Sequence, residues 1–165
     1  MNVVFICGGI CSGKSTLAKQ LADKHFSDFQ PVEPELGETC WVEVSDFVRM
    51  ISNGADRKSL QGTGGSVDKI IGHLKSVVNE VAKRHGFNST LYISGARQVE
   101  ILRAFPQATF MWLETPEFTR FQRWMDIATT KDRVKNITTW GEANKFDNQL
   151  GLGDLKHYIL NNSRP

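Results

Sequence analysis

The chain opens on an apolar run, NVVFIC (residues 2–7), and runs of the same kind return at WVEV, TLYIS and ATFMWLE. Between them lie stretches in which apolar residues recur every three to four positions, beginning with KSTLAKQLADKHF. Short, continuous apolar runs read as strands buried on both faces, and the three-to-four spacing reads as helix. Strands that alternate with helices build parallel β/α units, because a parallel pair needs a crossover long enough to hold a helix. The clearest helix is DKIIGHLKSVVNEVAKRH, where Ile70, Leu74, Val77, Val78 and Val81 fall on one face. Ser66 or Asp68 can cap its start and Gly86 can end it, and its apolar stripe is core packing. After ATFMWLE, Thr115, Pro116 and Glu117 supply an N-cap, a helix-compatible proline and an acid at the positive helix end, so PEFTRFQRWM reads as the next helix. A last apolar run, HYIL, reads as a fifth strand.

Composition narrows the class. A chain of 165 residues with 40% hydrophobic residues suits one domain, residues 1–165, with a substantial core. QGTGGS (61–66) and the Pro/Glu-rich stretch 27–40 are the expected loops. Cys7, Cys11 and Cys40 are odd in number and follow no signal-peptide pattern, which points to a reducing, cytoplasmic compartment. Two nearby thiols are too few ligands for a structural zinc site. No apolar run is long enough for a membrane span, so no membrane partner is expected. The net charge is +2, but residues 27–40 carry Asp28, Glu33, Glu35 and Glu38 without a base, which leaves 20 basic residues against 14 acidic ones elsewhere. That balance is mildly basic, short of the dense basic face of most nucleic-acid binders.

The chemistry is concentrated in GGICSGKS, residues 8–15. Gly8, Gly13, Lys14 and Ser15 fit G-x-x-x-x-G-K-[ST], a pattern that average composition yields about once in a hundred chains of this length. A strand enters it and a helix leaves it, as a phosphate-binding loop requires. Glycines let backbone N–H groups turn toward an anion, Lys14 reaches the β/γ-phosphates, and the Ser15 hydroxyl is a ligand for Mg²⁺. Gly8, Gly9, Cys11, Ser12, Gly13, Lys14, Ser15 and Thr16 are the candidates to hold ATP. A GTPase would add N-K-x-D, which is missing, and a hydrolysis-driven machine would end a strand in an acid where TLYIS ends in Ser94.

Phosphoryl transfer needs cations that converge on the transferring group and on the acceptor. Arg49, in VSDFVRMI, and Arg97, in SGARQ, both follow strand ends, the edge where open α/β sheets bind ligands. With these residues the chain resembles the nucleoside-monophosphate-kinase group of P-loop kinases over nearly its whole length. SDFVR, with Asp46 and Arg49, looks like that group's G-D-x-x-R; Ser94, Gly95 and Arg97 resemble its D-G-x-R without the leading acid. LETPEFTRFQRW resembles its L-x-x-P-E-x-x-x-x-R-x-x-x-R, which places Arg120 and Arg123, and KFDNQLGLGDLKHYILNNS is similar to its closing stretch. The resemblance implies a three-layer α/β P-loop fold with a five-stranded parallel sheet in the order 2-3-1-4-5. It implies a kinase in which Lys14, Asp46, Arg120 and Arg123 are catalytic, and Asp46, Phe47, Arg49 and Arg97 bind the acceptor within residues 41–86. The arginine-rich lid of that group is reduced here to residues 124–140, where Lys131, Arg133 and Lys135 remain.

DRKSLQGTGG, followed by the long helix, looks most like phage deoxynucleotide kinases, including those that phosphorylate 5-hydroxymethyluracil already inside DNA. A polynucleotide acceptor suits a short lid and a stacking aromatic, for which Trp41, Phe47, Trp124 and Trp140 are candidates. A free deoxynucleoside monophosphate suits a deep, closing pocket. A hydroxymethyl acceptor must lose a proton, which Asp46 can take; a monophosphate needs no base, and Asp46 would then orient it. Arg49 and Arg97 fit either acceptor. A P-loop protein that only binds nucleotide as a switch is the reading from another class.

Overall fold

The computed structural model describes residues 1–22, 24–26, 39–52, 64–86, 88–128 and 139–162. Five parallel strands form one sheet: β1 (Asn2–Cys7), β2 (Lys24–His25), β3 (Thr39–Glu43), β4 (Thr90–Ser94) and β5 (Thr109–Trp112). Their order across the sheet is β2-β3-β4-β1-β5. Helices α1 (Lys14–Leu21), α2 (Val44–Ser52), α3 (Gly64–His85), α4 (Val99–Arg103), α5 (Glu117–Ala128), α6 (Trp140–Gln149) and α7 (Leu152–Asn162) flank it. The expected α/β class and five-stranded parallel sheet are therefore present, and WVEV, TLYIS, NVVFIC and ATFMWLE lie side by side in the expected order.

The fifth strand is not the expected one. HYIL lies inside α7, and the sheet is completed instead by Lys24 and His25 beside β3 at the opposite edge. Leu152, Leu155 and Ile159 explain the helix, since their spacing of three and four residues makes one buried stripe, with Leu155 and Ile159 almost wholly covered.

Phe5, Ile6 and Cys7 are all fully buried although successive strand residues point to opposite faces, so β1 is covered on both sides. Ile70, Leu74, Val77 and Val81 of α3 are buried in the same core as Phe5, Leu91 and Ile93, as the helical stripe requires. Each contributes about 1.5–3 kcal/mol by leaving water. Gly86 ends α3 with φ 77°, and its N–H closes on the Ala82 carbonyl at 3.0 Å. The helix starts at Gly64, ahead of both expected caps.

This framework gathers the strand ends that matter. In register, Ile6 lies beside Ser94, and Ser94 beside Glu43, so the loop after β1, the turn after β4 and helix α2 all leave from one edge of the sheet. Among the described residues no helix is long and apolar enough to cross a membrane.

Candidate functional site

The segment between β1 and α1 has the backbone of an anion-binding turn. Gly13 sits at φ 97° as the residue before α1, and Cys11 at φ 57° is the described non-glycine residue in the left-handed region. Reversals of this kind can turn N–H groups toward one point; here the Ser12 N–H closes on the Gly9 carbonyl at 3.2 Å and the Ile10 N–H on Asp147. A side chain at Gly8 would stand 2.8 Å from the Leu113 carbonyl oxygen and 2.7 Å from Ser12 Oγ, so only a glycine fits between the loop and the end of β5.

The carbonyl side of the same loop is bonded residue by residue. Lys14 Nζ donates to the Gly9 carbonyl at 2.6 Å and to Ser12 Oγ at 3.3 Å. Arg120 Nη1 donates to the Ile10 carbonyl at 3.3 Å, and Arg123 Nη1 to the Cys11 carbonyl at 3.2 Å. The Thr115 hydroxyl donates to the Ser12 carbonyl at 2.8 Å. Four consecutive carbonyls, from Gly9 to Ser12, are thus held by donors from α1, α5 and the turn before α5.

Thr115 was expected to cap α5, and it does something else. The Pro116 carbonyl accepts the first helical bond, from Arg120 N at 3.1 Å, which makes Pro116 the cap position and releases the Thr115 hydroxyl to the loop.

Lys14 is buried and folded back on its own loop. Burial, with the Arg97 guanidinium nearby, pulls its ammonium down to about 8 from an ordinary 10.5. Burial likewise pushes the Cys7 thiol up to about 12 and raises that of Cys11, so neither is a ready thiolate despite Lys14 beside them.

Asp147 of α6, within KFDNQLGLGDLKHYILNNS but not among the candidate site residues, enters the site from the far end of the chain. Its Oδ2 accepts the Ile10 N–H at 2.7 Å and its Oδ1 accepts from Arg97 Nη1 at 2.7 Å. It is 2% exposed. Helix α6 is fastened to α5 by Glu117, which accepts from Trp140 Nε1 at 3.3 Å and Asn144 Nδ2 at 3.2 Å. Asn144 in turn accepts from Arg120 at 3.4 Å, and the Arg120 guanidinium lies over the Trp140 ring, 5.3 Å from its centre. The sequence does hold one signal for Asp147: it shares the buried side of α6 with Ala143 and Phe146, where an acid is out of place.

Lys14, Arg97, Arg120 and Arg123 therefore meet at the loop. Ser15 is half-buried and Thr16 exposed in the first turn of α1. Asp46 lies in the first turn of α2, with its Oδ2 3.6 Å from His25 Nε2. Phe47 is a core residue, 7% exposed and edge-on to His73, so the expectation that it faces an acceptor gives way to a packing role. Trp124 is likewise buried against Trp140, and Trp41 is flanked by His25 and Lys19. Arg49 belongs to α2 but its side chain lies outside the described part, as do Lys131, Arg133 and Lys135 of the expected lid.

For Mg²⁺ the oxygens present are of the right kind. Glu43 and Ser94 are buried neighbours at the ends of β3 and β4, and Ser94 Oγ has no hydrogen-bond partner among the described residues. Oxygens of this kind, with the Ser15 hydroxyl at the start of α1, are the donors that this ion prefers, although Glu43 also accepts from the Ser45 hydroxyl at 3.1 Å.

Fold and loop together define an α/β protein with a five-stranded parallel sheet and a glycine-containing turn between its first strand and first helix. No protein-family model matches the chain, and no curated protein matches it. Among solved structures, one described as "Crystal structure of APE1195" aligns with a TM-score of 0.46 at 14% identity, over 96% of each chain. Likeness at that level carries no functional argument, and the reading of the site rests on its geometry.

Proposed function

We propose that the protein is an ATP- and Mg²⁺-dependent phosphotransferase that acts on a deoxynucleotide. The observation that carries this reading is the loop itself: its Ile10 amide already holds a carboxylate, and Lys14, Arg97, Arg120 and Arg123 surround it. A receptor with that concentration of positive charge suits a triphosphate, and phosphoryl transfer is chiefly a matter of position and charge neutralisation. Lys14 and the loop amides hold the donor phosphates, and Arg120 and Arg123 neutralise the group in transit. The Ser15 hydroxyl would hold Mg²⁺, which would supply positive charge against that of the phosphates.

On the acceptor side, Asp46 with His25 beside it favours a hydroxyl over an already ionised phosphate. The acceptor oxygen bonds to the γ-phosphorus, the bond from that phosphorus to the β–γ bridging oxygen breaks, ADP leaves, and the hydroxyl proton passes to Asp46. The hydroxymethyl group of 5-hydroxymethyluracil in DNA fits this chemistry, with a phosphate of the DNA backbone for Arg49.

The test is transfer of γ-labelled phosphate in the presence of Mg²⁺, run side by side on deoxynucleoside monophosphates and on DNA that contains 5-hydroxymethyluracil. Label in the polymer is expected. Label in free diphosphates would reassign the acceptor, and ATP turnover indifferent to every acceptor would favour a nucleotide switch. Transfer undiminished in Lys14→Ala would refute the kinase reading.

A further inference from the structure

The packing of α1 on the sheet brings an acid opposite Ser15. In a parallel sheet the helix that follows β1 runs back against the strands, and α1 packs on β3 and β4. Its Lys19 crosses to β3, where the ammonium lies 5.1 Å from the centre of the Trp41 ring. Ser15 stands four residues before Lys19, so it shares that side of α1, one turn or about 5.4 Å nearer the helix start. Glu43 stands two residues after Trp41, so it shares that face of the sheet, about 6.6 Å nearer the strand end. Helix and strand run in opposite directions, so both steps lead to the same edge, and they differ by only about 1 Å. Glu43 therefore comes opposite Ser15 as Trp41 comes opposite Lys19. Across the sheet, register sets Ser94 beside Glu43 on the same face. Both are buried, and the Glu43 carboxylate is oriented by the Ser45 hydroxyl, which donates to its Oε2 at 3.1 Å. A glutamate is seldom buried in this way. P-loop nucleotide users hold Mg²⁺ with the loop hydroxyl and an acid at a strand end. Here β4 ends in Ser94, and the strand beside it ends in Glu43.

We propose that Glu43, set opposite Ser15 by the packing of α1 on β3, is the carboxylate that holds Mg²⁺ together with the Ser15 hydroxyl, in place of the acid that β4 lacks at Ser94. The proposal rests on the reading of the loop as a nucleoside-triphosphate site. Mg²⁺ prefers oxygen, keeps several waters and is commonly held by one or two carboxylates beside the phosphates, so one carboxylate between two hydroxyls is a donor set it accepts. The assignment also divides the acids at this edge. Asp46, three residues further on and beside His25, is left to the acceptor hydroxyl, while Glu43 serves the metal.

The test is calorimetric binding of the non-hydrolysable ATP analogue AMP-PNP to the full chain and to E43Q, each with Mg²⁺ and with EDTA. E43Q keeps the length of the side chain and an acceptor for Ser45, so a purely structural Glu43 would leave the effect of Mg²⁺ unchanged. The factor by which Mg²⁺ tightens binding is expected to fall about ten- to a hundredfold in E43Q, the scale of disturbing the groups that support a metal, while metal-free affinity does not weaken. D46N measures the loss of an acid elsewhere at the same edge, and a fall in E43Q no larger than in D46N overturns the proposal. Wild-type affinity that is indifferent to Mg²⁺ overturns it as well. A second measurement needs no variant: with AMP-PNP present, substoichiometric Mn²⁺ is expected to broaden the Glu43 carboxylate signal of ¹³C-labelled wild type. The signal of Glu114, exposed and paired with Lys156, is expected to persist. A Glu43 signal that persists with it also overturns the proposal. In each of those cases the nucleotide site itself stands, whereas a wild type that binds AMP-PNP neither with Mg²⁺ nor with EDTA refutes the site and the proposal together.

Discussion

Raising the pH through the range in which Lys14 loses its proton is expected to stabilise the protein and to weaken the proposed binding of phosphate. In the folded chain the ammonium is held down to about 8, chiefly by burial and then by Arg97, against smaller opposing effects of Asp147, Cys7 and Cys11. The unfolded chain keeps that proton up to its ordinary 10.5. Between those two values the unfolded state binds more protons, so stability rises with pH across that window. The depression amounts to about 3 kcal/mol against the charged form, fully present below the folded value and gone above the unfolded one. Cys7 works the other way: its thiol leaves an ordinary 9.0 for about 12, so its contribution is lost as pH rises from the first value toward the second. Lys14→Met separates the two. The stability of wild type minus that of Lys14→Met, from urea melts at matched pH, should climb by about 1.4 kcal/mol per pH unit at its steepest and by about 3 kcal/mol in all. Affinity for tripolyphosphate has the opposite sign, because the polyanion selects the ammonium form and must carry in a proton above the folded value. A stability difference that stays flat or falls with pH would refute the claim that the loop holds a destabilised charge.

Other substitutions test separate parts of the site. Arg120→Ala should lower phosphoryl transfer by about 10³, the scale of losing a charge-neutralising arginine. A side chain at Gly9 would lie 2.8 Å from Arg120 Nη1, the end of a flexible side chain, so Gly9→Ala should shift that guanidinium and lower the rate by less than Arg120→Ala does, and the double variant should fall little below Arg120→Ala, as measured by initial rates. Thr115→Val should cost about 1 kcal/mol in a denaturant melt through its lost bond to Ser12. Phe47→Ala should cost about 3–5 kcal/mol of stability and leave the tripolyphosphate affinity of the folded protein unchanged, which separates core from acceptor platform.

What could be read from the sequence was local. Gly8, Gly13 and Lys14 announce a strand–turn–helix because the turn's geometry is a property of a few adjacent residues, and the stripe on α3 announces itself over many turns. HYIL misled because four residues do not separate a strand from a helix segment. Extended back to Leu152, the same region shows the helical spacing that the structure follows. Strand β2 was invisible for the opposite reason: Lys24 and His25 are both exposed, and a two-residue strand shows no apolar run, its place being set by pairing with β3 and the contact of His25 with Trp41. Arg120 and Arg123 could be named in advance, but their contact with loop carbonyls could not, since it depends on how α5 docks.

The loop's shape is in fact set from outside the motif. Its amides can face an anion only if its carbonyls face elsewhere, and a carbonyl withdrawn from water needs a donor. Lys14 is the one such donor that the motif itself specifies. Thr115, Arg120 and Arg123 stand more than a hundred residues away and hold the Ser12, Ile10 and Cys11 carbonyls. Asn144 and Trp140 on α6 hold Arg120, and Asp147 on the same helix holds the amide side. Both sides of one short loop thus depend on the docking of two helices that touch each other through Glu117. The same cations that shape the loop are the ones the proposed triphosphate would recruit, so its binding would exchange their carbonyl partners for phosphate oxygens. Phosphate affinity is then a difference between two well-bonded states, and substitutions on α5 and α6 should change it as strongly as substitutions in GGICSGKS.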